Sequence, residues 1–161
     1  MKITSGCIIN INNNLLLLKH SDGKFSIPED YIKDNEILKV ACIRAMQEIT
    51  GLNILPNAMF GVYDALDRGY AERTIGVYYI THVDLAQEHI DKLIKEFNEQ
   101  LKSQNKEYEL FMLSLVDVAN QEYLYDHKTI MNNYFRILML GSQTFTNKKA
   151  SESFESKESK N

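Results

Sequence analysis

A chain of 161 residues, 44% of them hydrophobic, is long and apolar enough for one domain around one core. Lys and Arg number 18 against 22 Asp and Glu, a net charge of −4, so no basic surplus faces a nucleic-acid backbone. No stretch approaches the roughly 18 apolar residues of a membrane span, and the opening MKITSGCIININ has no signal-peptide core. The expectation is a soluble cytoplasmic protein with no nucleic-acid or membrane partner. Cys7 and Cys42 show no metal-ligand spacing and read as buried thiols.

Residues 4–11 and 15–19 read as two strands joined by Asn12-Asn13-Asn14, since Asn tolerates the positive φ of a hairpin turn. Leu15 to Leu18 is a continuous apolar run, as in a strand buried on both faces. A loop, His20 to Gly23, leads to Phe25-Ser26-Ile27 and a turn at Pro28-Glu29-Asp30. A helix follows from near Asn35 or Glu36 and ends at Thr50-Gly51, where Gly accepts the left-handed closing conformation. Within it Arg44 and Glu48 lie four residues apart and can meet. Ala45 shares a face with Glu48 and Ile49.

The stretch from Pro28 to Leu52, PEDYIKDNEILKVACIRAMQEITGL, resembles the box of the Nudix hydrolases, G-x5-E-x7-R-E-U-x-E-E-x-G-U with U aliphatic. Glu36, Arg44, Met46, Glu48, Gly51 and Leu52 fall on its E, R, inner U, first E of the pair, G and final U. Asp30 stands at the first Gly, Ala45 at the Glu after Arg, and Ile49 at the second Glu of the pair. In the family those carboxylates hold divalent metals, and Mg²⁺ asks for hard oxygen ligands in octahedral array. The resemblance implies an α/β fold, an α/β/α sandwich with a mixed β-sheet, and a box that has kept its skeleton and lost most of its metal ligands. Phe25 and Pro28 match an aromatic before a Pro-Gly-Gly turn, with Glu29 and Asp30 in place of the glycines.

Further along, Ile54 to Tyr63 reads as a strand entered through Pro56. A polar loop, Asp64 to Arg73, precedes a β-branched and aromatic strand, Thr74 to Thr81. This passage resembles the ADP-ribose pyrophosphatase branch of the family. Residues 85–104 carry apolar side chains at helical spacing, Tyr108 to Leu113 reads as a strand, and Leu115 to Asn120 as a helical turn. A last helix starts at Tyr125-Asp126-His127, with Asp126 as its cap, and stops at Gly141. The domain is expected over 1–143, followed by a disordered polar tail, 144–161.

The candidate site residues follow from the resemblance and from chemistry. Glu48 is the surviving metal ligand or base, with Arg44 orienting it. Glu107 is a second metal candidate, from the region where the family often draws a further carboxylate. Arg68 and Arg73 can clamp a diphosphate through paired hydrogen bonds. Phe25 and Tyr70 can stack on a base or ribose. The simpler role of each is structural: Glu48 as an exposed partner of Arg44, Phe25 as core. Two functions remain open. One is a domain that recognises a nucleoside-diphosphate derivative, such as ADP-ribose or a nucleotide sugar, with hydrolysis weak or lost and no cofactor. The other is an active pyrophosphohydrolase that uses Mg²⁺ or Mn²⁺ on Glu48 and carboxylates outside the box. The 85–104 helix offers a face for a partner or a homodimer.

Overall fold

The computed structural model describes residues 1–141, which fall into two compact units, 1–128 and the chain from 129 onward. The first unit is built on a seven-stranded mixed sheet. β1 (Lys2–Ile11) and β2 (Asn14–His20) form a hairpin turned by Asn12 and Asn13 at φ 52° and 64°. Two left-handed residues in a row match the right-handed twist of the flanking strands. β5 (Ala58–Tyr63) and β6 (Thr74–Val83) extend the sheet on the other side of β1. β6 runs parallel to β1 from Thr74 against Lys2 to Val83 against Ile11, and β5 closes that edge antiparallel. β5 begins at Ala58, not at Ile54. Pro56 has no N–H to donate, and pairing starts at the Asn57 N–H, which bonds the Ile80 carbonyl. β7 (Tyr108–Ser114) lies antiparallel along the whole of β2.

The β1–β2 hairpin pairs only near its turn, Ile9 to Ile11 against Asn14 to Leu16. Beyond that the two strands part, and the chain between Phe25 and Tyr31 fills the gap. β3 (Phe25–Ser26) takes the free edge of β2, and β4 (Glu29–Tyr31) takes that of β1. The sequence suggested only a turn here, because Glu and Asp are poor strand formers. Pairing with Thr4, Ser5 and Gly6 overrides that preference. A Cβ on Gly6 would come within 2.8 Å of the Glu29 Cβ and the Pro28 carbonyl, so glycine lets β4 lie against β1.

α1 (Leu38–Thr50) packs on β1 and β4. It begins two or three residues later than the sequence suggested and ends at Gly51, φ 74°, whose N–H bonds the Gln47 carbonyl. α2 (Gln87–Ser103) packs on β7. A short 3-10 turn, Val118–Asn120, leads toward α3, residues 127–141. The core of the first unit joins Cys7, Ile9, Ile11 and Leu16 of the sheet to Cys42, Ala45 and Met46 of α1. Both cysteines are free and buried. In the second unit α3 buries Ile130, Met131 and Tyr134 and exposes Ile137, Met139 and Leu140. The polar tail expected from 144 lies outside the described residues. Among those described, no helix is long and apolar enough to cross a membrane.

Candidate functional site

Arg44 is the hub of the box. Its guanidinium forks onto Glu36, Nε to Oε1 at 2.5 Å and Nη2 to Oε2 at 2.9 Å. Nη1 reaches Asp30 at 3.0 Å and Glu48 at 3.1 Å, and Nη2 also donates to the Tyr31 carbonyl. Glu36 further accepts the Lys33 N–H at 2.9 Å. The Arg44 hydrogen bonds, then the Lys33 N–H, hold the Glu36 carboxyl down at about 2. Glu48 is half exposed and lies 3.9 Å from Lys33 Nζ as well. One guanidinium therefore answers every carboxylate that the box brings together. Ala45 is fully buried, and Ile49 packs against the core cluster. A divalent metal needs several converging oxygens, and among the described residues no three acidic, His or Cys side chains are grouped to hold one. Of the three helix positions that carry carboxylates in the box, only Glu48 brings an oxygen.

A second cluster lies inside, where the hairpin splits. Glu29 accepts hydrogen bonds from Thr4 Oγ1 at 2.8 Å, from the Tyr78 hydroxyl at 2.6 Å and from the Tyr70 hydroxyl. His127, fully buried, completes the set: its Nε2 is 3.1 Å from Glu29. His127 Nδ1 accepts the Ile27 N–H at 2.9 Å, so the ring proton sits on Nε2 and points at Glu29. Burial alone pushes the Glu29 carboxyl up. The hydrogen bonds of His127, Tyr70 and Tyr78 outweigh it and hold the group at about 2. Behind Tyr78 lies Arg68, 3% exposed. It donates to the Tyr78 oxygen at 2.8 Å, to both Asp126 oxygens at 2.8 and 2.9 Å, and to the Thr74 carbonyl. The relay runs from Asp126 through Arg68 and Tyr78 to Glu29.

These positions revise several sequence expectations. Asp126 is the counter-ion of Arg68 through both carboxylate oxygens. Arg68 turns inward with its donors taken, while Arg73 stands exposed at the start of β6. Phe25 is 3% exposed and packs edge-on against Phe111. Tyr70 stacks flat on Tyr125, centroids 3.9 Å apart and 3° from parallel. The Arg68 guanidinium lies over the Tyr70 ring, 5.1 Å from its centroid. Tyr70, Tyr125 and Glu29 all line a cavity of about 210 Å³. Glu107 is exposed and lines a neighbouring, open cleft of about 870 Å³ with Lys19, Lys95 and Lys102, which shares His20 and Tyr108 with that cavity. Glu29, Tyr78, His127 and Tyr125 carry the inner cluster without having been singled out. The available signal was the pair of acidic residues standing where the family has glycines.

No protein-family model matches the chain. Among characterised proteins it is similar to an ADP-ribose pyrophosphatase of Methanocaldococcus jannaschii, 28% identical over 136 residues, covering 80% of this chain and 70% of that one. Among solved structures it is similar to a mutT/nudix family protein from Listeria innocua, with a TM-score of 0.68 and 18% identity over 89% of this chain and 97% of the other. A further likeness is to the NUDIX domain of NrtR from Shewanella oneidensis, a structure complexed with ADP ribose. Its TM-score is 0.63 and its identity 16%, over 84% of this chain and 87% of the other. Box spacing, split mixed sheet and these likenesses agree, and the chain has the fold of the Nudix proteins.

Proposed function

We propose that this chain is a Nudix-fold binding domain for a nucleoside-diphosphate derivative of the ADP-ribose or nucleotide-sugar type, with metal-dependent hydrolysis weak or lost. One observation carries the reading: Ala45 and Ile49 belong to the core side of α1, and Arg44 engages Asp30, Glu36 and Glu48. Metal catalysis of diphosphate cleavage depends on ions held at fixed positions to neutralise developing oxygen charge. A helix face without those oxygens leaves binding and removes the means of turnover. The curated relative and the ADP-ribose complex of the NrtR domain support the ligand class. Arg73, exposed beside the sheet, is the guanidinium available to a diphosphate.

The test is a thermal-shift titration with ADP-ribose and nucleotide sugars, in Mg²⁺ and in EDTA, beside an assay for released nucleoside monophosphate. A ligand that binds only the folded state raises the melting temperature by mass action. The expected result is an equal rise in both buffers and no product. Arg73→Ala weakens the rise. Mg²⁺-dependent turnover on the order of 1–10³ s⁻¹, abolished by Glu48→Gln, replaces this reading with that of an active hydrolase.

A further inference from the structure

The cavity beside Glu29 has a chemistry of its own. At about 210 Å³ it is smaller than the roughly 300–1,000 Å³ of most ligand pockets, so it takes one head group and not a whole nucleoside diphosphate. Tyr31, Tyr70, Tyr108 and Tyr125 line it, together with the carboxylates of Glu29 and Asp30. No Lys or Arg is among its described lining residues. His20, which also borders it, has its pKa lowered by burial and adds no charge at neutral pH. Nearby guanidiniums are already committed, Arg44 to Glu36, Asp30 and Glu48, and Arg68 to Asp126. Glu29 is left with three hydroxyl donors and the Nε2 of the His127 imidazole. A buried carboxylate with no permanent cation sets up a negative field in a space of low dielectric.

The aromatic walls act in the same direction, because the face of a tyrosine ring attracts cations through its quadrupole. Lys2 Nζ already lies 4.9 Å above the Tyr31 ring at the rim. Tyr125 is the outermost layer of a stack whose inner layers are Tyr70 and Arg68. One of its faces is covered by Tyr70. His127 also meets the Tyr125 ring, centroids 5.2 Å apart at 61°, and Tyr125 remains 46% exposed. Arg68, Tyr70 and Tyr125 thus read cation, ring, ring.

From this we infer that the tyrosine-lined cavity is a subsite for a ring-sized organic cation, a quaternary or protonated nitrogen group seated against Tyr125 and answered by Glu29. The inference stands whether or not a nucleotide binds elsewhere on the domain. Calorimetric titration with choline and with N-methylpyridinium tests it, with 3,3-dimethylbutan-1-ol as the uncharged isostere of choline. The expected result is a preference of about tenfold or more for the cations over the isostere, in line with cation–π and carboxylate attraction. Tyr125→Leu keeps an apolar side chain and removes the π face, so it should diminish that preference, while Tyr125→Phe should retain it. Glu29→Gln should lower cation affinity, and Tyr125→Leu serves where that variant does not fold. Equal affinity for cation and isostere, no binding of either cation, or an undiminished preference in Tyr125→Leu each overturns the inference.

Discussion

Glu29 stands where the family's turn carries a glycine, and its carboxylate is tied into the interior by Thr4, Tyr70, Tyr78 and His127. Its pKa falls from 4.5 to about 2 on folding. Between those values the unfolded chain binds more protons than the folded one, so stability rises with pH across that window. The contribution is complete above 4.5 and lost as pH falls toward 2. It amounts to at most about 3 kcal/mol. Melting temperatures recorded from pH 2 to 7 should fall steeply at the acid end for the wild type and less steeply for Glu29→Gln; parallel curves count against the assignment. Arg68 and Arg73 separate in the same residue-level way. Arg68→Ala strands the half-buried Asp126 carboxylate and should cost about 3–5 kcal/mol. Arg73→Ala, at an exposed position, should stay within about 0.5 kcal/mol. Urea unfolding of both variants checks this, and equal midpoints would show that the Arg68 relay is not a structural one.

At the scale of the element, α1 is held at both ends. Arg44 ties its outer face to Asp30, Glu36 and Glu48, and Gly51 closes it at φ 74°. A Cβ on Gly51 would lie 2.6 Å from the Phe97 ring of α2, so no side chain fits without displacing that ring. Gly51→Ala should destabilise by about 1–3 kcal/mol, from the left-handed backbone and the clash together, measurable as a shift in urea midpoint. Restoring the box is governed by the same packing. Ala45 is 0% exposed. Ala45→Glu buries a charge with no partner, which costs several kcal/mol or unfolds the chain. The double variant Ala45→Glu with Ile49→Glu should therefore lose cooperative unfolding before it gains a metal; a folded double variant stabilised by Mg²⁺ would reverse this view.

On the scale of the molecule, the parting of β1 from β2 decides where chemistry can occur. β3 and β4 enter the gap and carry Ser26, Glu29 and Asp30 to the wall of the cavity. The loop before β6 and the Tyr125 turn bring the stacked rings to the same wall. If hydrolysis is lost as proposed, a domain with Ala45 and Ile49 in place of two box carboxylates should melt at one temperature in Mg²⁺ and in EDTA when no ligand is present. A metal-dependent rise of several degrees in the free protein would reveal an ion site that the described residues do not form.

Much of this was legible in the chain itself. The Asn12-Asn13 turn, the β-branched run of β6 and the helix ending at Gly51 are local, because each depends on backbone preferences of neighbouring residues. The loss of oxygens at Ala45 and Ile49 was equally a matter of residue type at fixed helical spacing. What needed the tertiary structure was long-range pairing. Glu29 meets His127 across 98 residues of sequence and Arg68 meets Asp126 across 58. A charged side chain in a loop reads as solvated when viewed alone, and only its buried partner, brought by the fold, turns Arg68 inward and leaves Arg73 outside. The same holds for Glu29: poor strand propensity pointed to a turn, and pairing with β1 made it a strand with an ionised carboxylate at its core.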